Sequence, residues 1–216
     1  MLILFDLDGT LIDSELGILA GVRHSLASVG AEAPDDAVLR SWIGPPLRVS
    51  FGEVLDGDSE RVEAAVAAYS QRFREVGWSE HTVYAGVPEL IATLADAGHR
   101  LAVVTSKVRA HAEPILAHLP FGAAFERIYA PGPASAHSEK AEMIAAALAD
   151  FGHPTEETIM VGDRRFDMEG AVANDVRGVG VLWGFGDREE LEASGAWKLV
   201  QAPEEIALLA AEVLAG

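Results

Sequence analysis

The segment Met1-Leu2-Ile3-Leu4-Phe5-Asp6-Leu7-Asp8-Gly9-Thr10 is an apolar run that ends in two acids and a glycine. Such a continuous run is typical of a strand buried on both faces of a parallel sheet. Residues two apart in extended chain point to the same side, so Asp6 and Asp8 are predicted to face one site. Adjacent carboxylates at a buried sheet end repel each other unless they share a cation or a proton. This segment therefore favours a metal site directly after the first strand.

The rest of the chain falls into two blocks. Between Leu16 and Val76 the pattern is helical, with breaks at Gly30–Pro34, Gly44-Pro45-Pro46 and Asp56-Gly57-Asp58, and Ser59 with Glu63 is predicted to open its last helix. After Tyr84, strands and helices alternate. The predicted strands are Leu101–Thr105, Arg127–Ala130, Thr158–Gly162, Gly178–Leu182 and Lys198–Val200, and the predicted helices are Val87–Ala97, Arg109–His118, Ser138–Phe151, Phe166–Asn174, Arg188–Ser194 and Glu204–Ala215. This alternation predicts βαβ units with parallel strands.

The predicted fold class is therefore α/β, a parallel sheet interrupted after its first strand by an all-helical insert. We predict that residues 1–14 and 80–216 form the α/β core and that residues 15–79 form the insert. In such sheets ligands bind outside the carboxyl ends of the strands, so the polar residues that follow each strand are the candidates for a site.

Composition narrows the function. The chain of 216 residues has 34 acidic and 16 basic residues, a net charge of −18, which argues against nucleic acid as a partner. It has no cysteine, so disulfides, thiolate metal sites and cysteine nucleophiles are excluded. No apolar stretch reaches the roughly 18–20 residues of a membrane span, and the first residues lack the basic region of a signal peptide. We expect a cytoplasmic protein without a membrane partner.

Polar groups follow several predicted strands. Thr105 and Ser106 offer hydroxyls, Lys140 lies in the first turn of a helix, and Asp163 and Asp167 are four residues apart. Each has an ordinary structural alternative, such as a helix cap or a solvated helix position. Together they provide what phosphoryl transfer needs: carboxylate oxygens for Mg²⁺, an aspartate nucleophile, a second carboxylate for proton transfer, and cationic or hydroxyl groups around the phosphoryl oxygens.

These segments resemble, in chain order, the four motifs of the haloacid dehalogenase (HAD) superfamily. Asp6-Leu7-Asp8-Gly9-Thr10-Leu11 resembles the DxDGT motif, Thr105 the hydroxyl motif, Lys140 the lysine motif, and Gly162-Asp163 with Asp167 the GDxxxD motif. The resemblance implies a Rossmannoid core with a helical cap. It implies Asp6 as nucleophile and Asp8 as general acid/base, with Thr105 and Lys140 holding the phosphoryl group. Mg²⁺ would be bound by the Asp6 carboxylate, the Asp8 carbonyl and the Asp163 carboxylate, with Asp167 in support.

Within the superfamily the chain is most similar to phosphoglycolate phosphatase-type hydrolases, through Asp6–Ser14, Ile43–Leu47, Tyr84–Val87 and Thr105–Lys107. Arg164 and Glu139-Lys140-Ala141-Glu142 instead resemble 5′-nucleotidase-like relatives. A phosphomutase uses the same groups and stays open. Asp8 argues against a dehalogenase, which has no alkoxide to protonate. A phosphoacceptor signalling domain is a remote alternative, since such modules lack a helical insert.

The cap is expected to choose the substrate, a small phosphorylated metabolite. Arg48 is a candidate for pairing with a carboxylate or a second phosphate. Gly9, Thr10, Ser106 and Lys107 are further candidates for substrate binding, and Arg109 for positive charge at the mouth of the site. Trp42 and Trp78 are predicted to pack inside the cap. The sequence leaves open whether the protein is a monomer or a homodimer.

Overall fold

The computed structural model describes residues 1–132 and 139–215. Six strands form one parallel sheet in the order β5-β4-β1-β6-β7-β8. They are β1 Leu2–Phe5, β4 Arg100–Val104, β5 Phe125–Tyr129, β6 Thr158–Gly162, β7 Arg177–Val181 and β8 Lys198–Val200. The predicted α/β class with a parallel sheet is confirmed.

The register of β1 positions the site. All four residues of β1 are buried, and Phe5 lies opposite Val103 of β4 on one side and Val161 of β6 on the other. The three central strands therefore end at the same level. As a result, the residues that follow them meet at one edge of the sheet although they are far apart in the chain.

Helices cover both faces of the sheet, so its central strands are mainly apolar, whereas the edge strands β5 and β8 carry exposed polar residues. The helices of this core are α5 Val87–Asp96, α6 Arg109–His118, α7 Lys140–Phe151, α8 Arg165–Val172, α9 Arg188–Ala193 and α10 Glu204–Ala215. Two apolar clusters, one on each side of the sheet, include Ile3 and Phe5 on one face and Leu2 and Leu4 on the other. The alternation of β1 between these clusters explains why it has no polar residue.

Four helices follow β1 and form the insert, α1 Glu15–Ser28, α2 Asp36–Ser41, α3 Leu47–Val54 and α4 Ser59–Glu75. The gaps between them coincide with the three predicted breaks. Helices α1 and α4 pack closely because Gly21 leaves room for Tyr69: a Cβ on Gly21 would lie 2.6 Å from the Tyr69 ring. We call residues 15–79 the cap and keep for it the limits predicted from the sequence.

A two-stranded antiparallel ribbon lies at the base of the cap. Its strands are β2, Ile12–Asp13, and β3, Thr82–Val83, with Ile12 opposite Val83. The sequence analysis did not predict this ribbon, because two residues are too few for an alternating pattern to show. The ribbon joins the chain entering the cap to the chain leaving it.

The predicted element boundaries coincide with the observed ones or differ from them by one or two residues. The last cap helix begins at Ser59, as predicted, but its N-cap is Asp58, whose carboxylate accepts from the Glu60 and Arg61 amides. The predicted start of another helix at Ser138 lies outside the described residues. No helix in the described part of the chain combines the length and the apolar content that crossing a bilayer requires.

Candidate active site

Three carboxylates meet at the edge of the sheet where the central strands end. Asp6 follows β1, Asp163 follows β6, and Asp167 lies in the first turn of α8. One oxygen of each lies within 4.8 Å of the others, and all three residues are buried. The sequence prediction placed these acids in one site, and the parallel register is what brings them together.

Lys140 is the cation of this cluster. Its Nζ lies 3.1 Å from Asp6 Oδ1 and 2.7 Å from Asp167 Oδ1, and it donates to the Val104 carbonyl at 3.0 Å. The side chain extends from the first residue of α7 and is only 3% exposed. A buried ammonium with two carboxylate partners and a carbonyl acceptor is fixed in place, so it can serve as a preorganised charge.

The electrostatics of the cluster are unbalanced. Burial, opposed by Lys140 and reinforced by the charges of Asp167 and Asp8, raises the pKa of Asp6 to about 7. Burial, with the charges of Asp167 and Asp6, holds the pKa of Asp163 well above its ordinary value. Burial alone would lower the pKa of Lys140, but the carboxylates of Asp167 and Asp6 outweigh it and raise that pKa. The three acids therefore need more positive charge than one lysine supplies.

The chain fits a divalent cation at this cluster. Its donors are carboxylate oxygens, the ligands that Mg²⁺ prefers, and they are gathered in a buried place with excess negative charge. Asp6, Asp163 and Asp167 would hold the ion. The Asp8 carboxylate is not part of the cluster, so Asp8 enters the predicted ligand set only through its carbonyl oxygen.

Backbone and hydroxyl donors fix the Asp163 side chain. Oδ2 accepts from the Phe185 amide at 2.8 Å, and Oδ1 lies 3.3 Å from the Thr10 hydroxyl. Gly9 has a φ of 80°, and a Cβ there would lie 2.1 Å from Asp163 Oδ2. Gly9 is thus required both for its left-handed backbone and for the close approach of Asp163. Thr10, a predicted substrate ligand, orients Asp163 with its hydroxyl.

Asp8 faces the cavity and pairs with Lys107. The Lys107 Nζ lies 3.0 and 2.9 Å from the two Asp8 oxygens, and both side chains are largely buried. Burial lowers the pKa of Lys107, but the Asp8 charge outweighs it and the pKa is raised. Lys107, a predicted substrate ligand, is therefore the ionic partner of Asp8.

Thr105 and Ser106 lie at the end of β4, beside Asp6. The buried Thr105 donates its amide to the Tyr129 carbonyl, and its hydroxyl oxygen accepts from the Lys107 amide at 3.2 Å. Ser106 is partly exposed and lines the cavity. Both are thus placed at the strand end where the sequence expected phosphate-binding hydroxyls.

The cap closes over these groups and leaves a cavity of about 240 Å³ between cap and core. Asp6, Asp8 and Thr105 lie on the core side. The cap side is mainly apolar and aromatic, through Ile18, Trp42, Pro45, Pro46, Leu47, Phe51, Val66 and Tyr69. Gly44, Arg48, Ser70 and Arg74 complete it. Trp42 packs edge-to-face on Phe51, with ring centroids 6.0 Å apart, in agreement with its predicted packing role.

The arginines of the cap differ from expectation. Arg48 lines the cavity, but its guanidinium binds Glu63 through two hydrogen bonds of 2.7 and 2.9 Å. Arg109 pairs with Glu113 and with the Ile128 carbonyl and is not among the residues lining the cavity, so its predicted place at the mouth was wrong. Arg74 lines the cavity instead, near the end of α4.

His111 is a second residue that the sequence analysis did not assign. It lines the cavity from α6 and stacks on Phe73 of the cap, with ring centroids 4.0 Å apart. Its spacing of seven residues from His118 was the available signal, because both histidines contact cap aromatics from α6. His118 packs at a tilt against Trp78, with centroids 4.5 Å apart, so Trp78 contacts the core and not only the inside of the cap. Both histidines serve the contact between cap and core.

Comparison with known proteins agrees with this geometry. The family model described as haloacid dehalogenase-like hydrolase matches residues 3–181. The chain belongs to this family. The match extends from β1 to the end of β7 and includes every carboxylate of the cluster, so the resemblance inferred from the four motifs is confirmed.

Individual relatives of the HAD-like family are similar over nearly the whole chain. A 5′-nucleotidase of Pseudomonas aeruginosa is 41% identical over 88% of this chain and 86% of its own length. A phosphoglycolate phosphatase of Pectobacterium atrosepticum is 29% identical over 88% of this chain and 83% of its own. The solved structure of Mycobacterium tuberculosis Protein Tyrosine Kinase A superposes with a TM-score of 0.82, at 33% identity and 97% coverage of both chains. Through its phosphatase relatives, this HAD-like chain is an enzyme of the phosphatase class.

Proposed function

We propose that the protein hydrolyses small phosphomonoesters with Mg²⁺ and an aspartyl-phosphate intermediate on Asp6. The observation that carries the proposal is the position of Asp6, which lies in a buried carboxylate cluster beside Lys140 on the core side of the cap cavity. A nucleophilic carboxylate, a fixed cation and a closed cavity are the groups that phosphoryl transfer requires.

The reaction has two steps. An Asp6 carboxylate oxygen bonds to phosphorus while the bond between phosphorus and the ester oxygen breaks, and protonated Asp8 gives its proton to that leaving oxygen. Ionised Asp8 then takes a proton from a water molecule whose oxygen attacks phosphorus, which releases phosphate and restores Asp6. The Lys107 Nζ, 2.9 Å from Asp8, orients this carboxylate at the cavity.

Other groups of this chain bind the phosphoryl oxygens. The Lys140 Nζ lies 3.1 Å from Asp6, and Thr105 lines the same cavity as Asp6. The Gly9 amide instead donates to the Ile12 carbonyl, so Gly9, a predicted substrate ligand, shapes the turn. When bound at Asp6, Asp163 and Asp167, Mg²⁺ would add positive charge for the phosphoryl oxygens and neutralise excess carboxylate charge. The apolar cap wall excludes water from the site until the leaving group departs.

The cap wall favours a nucleoside 5′-monophosphate as the substrate over phosphoglycolate. The cap side of the cavity is mainly apolar, which suits a nucleoside better than a free carboxylate, whereas Arg48, the predicted carboxylate ligand, is bound to Glu63. The 41% identical relative is named a 5′-nucleotidase, which supports the same choice. Phosphoglycolate stays the second candidate, because Arg74 also lines the cavity and could bind its carboxylate.

The first test replaces the nucleophile. We expect Asp6→Asn to lower turnover of p-nitrophenyl phosphate at least about a thousandfold, because the amide cannot attack phosphorus. Asp96→Asn, an exposed acid of α5, is the matched control and should retain full activity. Turnover by Asp6→Asn at the rate of the control would rule out the covalent mechanism.

A second test measures metal binding without catalysis. Titration calorimetry of metal-free protein should detect Mg²⁺ binding, and Asp163→Asn should weaken it about tenfold or more, because a carboxylate ligand is lost. Asp96→Asn should bind as the unmodified protein does. Equal Mg²⁺ affinity in all three proteins would remove the cluster as the metal site.

The substrate is decided by a side-by-side kinetic screen. AMP, UMP, phosphoglycolate, a sugar phosphate, pyrophosphate and ATP are compared by phosphate release, and we expect the highest kcat/KM for a nucleoside monophosphate. Phosphoglycolate above AMP and UMP would favour the second candidate. Transfer from ATP to protein tyrosine without phosphate release would overturn hydrolysis itself.

A further inference from the structure

Arg164 connects the carboxylate cluster to the cap. It directly follows Asp163, and its amide donates to Asp167 Oδ2 at 3.1 Å. Its side chain extends the other way: Nε lies 2.9 Å from Glu190 Oε1, and Nη1 donates to the Ile43 carbonyl in the cap. One residue therefore orients a cluster carboxylate with its backbone and holds a cap loop with its guanidinium.

The cap loop is shaped to receive this contact. Gly44 has a φ of 110°, and a Cβ there would lie 3.5 Å from the Arg164 guanidinium and its stem. Pro45 and Pro46 follow, and both line the cavity before α3 begins at Leu47. Since two consecutive prolines have little backbone freedom, fixing the Ile43 carbonyl also fixes the cavity wall that they form.

Glu190 makes the contact directional. Its Oε1 also accepts from the Arg165 amide at 2.8 Å, and the side chains of Arg164 and Glu190 are 13% and 24% exposed. A partly buried guanidinium held by a carboxylate on one side has a fixed direction for its remaining donors. One of these donors, Nη1, binds the Ile43 carbonyl of the cap loop.

We propose that Arg164 is a positioning residue that fixes where the cap loop Ile43–Pro46 lies relative to the carboxylate cluster. The position of this loop then determines which leaving groups fit the cavity. This role of Arg164 goes beyond the proposed phosphatase function. Only the kinetic test of the role depends on that function. Arg164 does not take part in the chemical steps. Its effect reaches the substrate through Gly44, Pro45 and Pro46.

The test compares Arg164→Gln with Arg165→Gln. Arg165 is a matched control, because its half-exposed guanidinium pairs with Glu169 and lies over the Phe166 ring, both in its own helix. We expect hydrogen–deuterium exchange of the segment from Leu39 to Phe51 to accelerate in Arg164→Gln and to stay unchanged in Arg165→Gln. Glu190→Gln should accelerate exchange of the same segment to a smaller extent. If Arg164→Gln does not fold, exchange in Glu190→Gln tests the proposal instead.

Kinetics give the second readout. For Arg164→Gln we expect KM for AMP to rise about tenfold with kcat nearly unchanged, since binding contacts are lost and the reacting groups are not. KM for p-nitrophenyl phosphate should change less, because its smaller leaving group touches less of the cap. Unchanged exchange in Arg164→Gln and Glu190→Gln, equal effects of Arg165→Gln, or an equal loss of kcat for both substrates would overturn the proposal. Because exchange needs no substrate, it still decides the proposal if the protein proves not to be a phosphatase.

Discussion

Lys140 illustrates how one side chain determines the state of its neighbours. It is the buried cation beside Asp6 and Asp167, and the pKa of Asp6 already rises to about 7 with the lysine in place. Without the ammonium, buried carboxylates would face each other with no counter-charge. Removing one partner of a buried ion pair costs more folding free energy than the intact pair contributes, because it leaves an uncompensated buried charge.

We therefore expect Lys140→Ala to lower the free energy of unfolding of the metal-free protein by about 3–5 kcal/mol. Urea denaturation measures this, and added Mg²⁺ should recover part of the loss because it supplies positive charge to the same acids. The exposed Lys198, changed to alanine, is the control and should differ little from the unmodified protein. If the two variants are equally stable, Lys140 does not balance the cluster.

Single residues of the site were predictable where their type was rare or strongly patterned. Lysine occurs three times in the chain, so Lys140 at a strand-following helix was a specific signal. The pairing of Lys107 with Asp8 and of Arg48 with Glu63 was not predictable, because each joins elements whose relative placement depends on the whole fold. The sequence could assign charges to the site but not the partner of each charge.

At the level of elements, the strands were the most predictable part. A strand buried on both faces has no polar face, so its apolar run is visible in the sequence, and the predicted Thr158–Gly162 matches the observed, fully buried β6. Helix ends were less certain, since they depend on capping contacts such as Asp58 with the Glu60 amide. The ribbon of β2 and β3 is held by tertiary position and has no pattern of its own.

The packing of helix α1 against helix α4 can be tested by substitution of Gly21. A methyl group on Gly21 would lie 2.6 Å from the Tyr69 ring, so Gly21→Ala must push the two helices apart or turn the tyrosine. We expect a loss of about 1–3 kcal/mol in the free energy of unfolding, because the site is already full. Since Tyr69 lines the cavity, KM for AMP should rise as well.

Gly52 of α3 is the natural comparison. Nothing lies within 4 Å of a Cβ built there, so Gly52→Ala has space in a helical position. We expect it to be neutral or to stabilise the protein by up to about 1 kcal/mol, through helix propensity alone. Thermal denaturation of Gly21→Ala and Gly52→Ala tests this comparison. An equal loss of stability in both variants would mean that packing against Tyr69 does not cause the effect of Gly21→Ala.

Across the whole molecule, the cap meets the core through two kinds of contact. On the α8 side the contact is polar, from Arg164 to the Ile43 carbonyl, and on the α6 side it is aromatic, from His111 to Phe73 and from His118 to Trp78. Burial, with the nearby charges of Lys107 and Arg74 and against that of Asp8, lowers the pKa of His111 from 6.5 to about 4. The aromatic contact thus contains a neutral imidazole.

This imidazole gives stability a defined pH dependence. In the unfolded chain His111 binds a proton below pH 6.5, whereas in the folded protein it stays neutral down to about 4, so stability falls as pH decreases through that window. The expected loss from this residue between pH 7 and pH 5 is about 2 kcal/mol. His111→Phe should lose stability less steeply in urea titrations at the two pH values. The exposed His24, changed to phenylalanine, should keep the original slope, and identical slopes for both variants would contradict the assignment.

The position of β1 in the sheet has a consequence for how the protein is made. β1 precedes both of its neighbours, β4 and β6, and the second of these ends only at Gly162. On the ribosome, Asp6 emerges long before the strand that carries Asp163, while the α1–α4 bundle can form from short-range contacts in the meantime. The core is therefore expected to assemble late around an early cap, and the nascent apolar strand Leu2–Phe5 is the segment most in need of a chaperone.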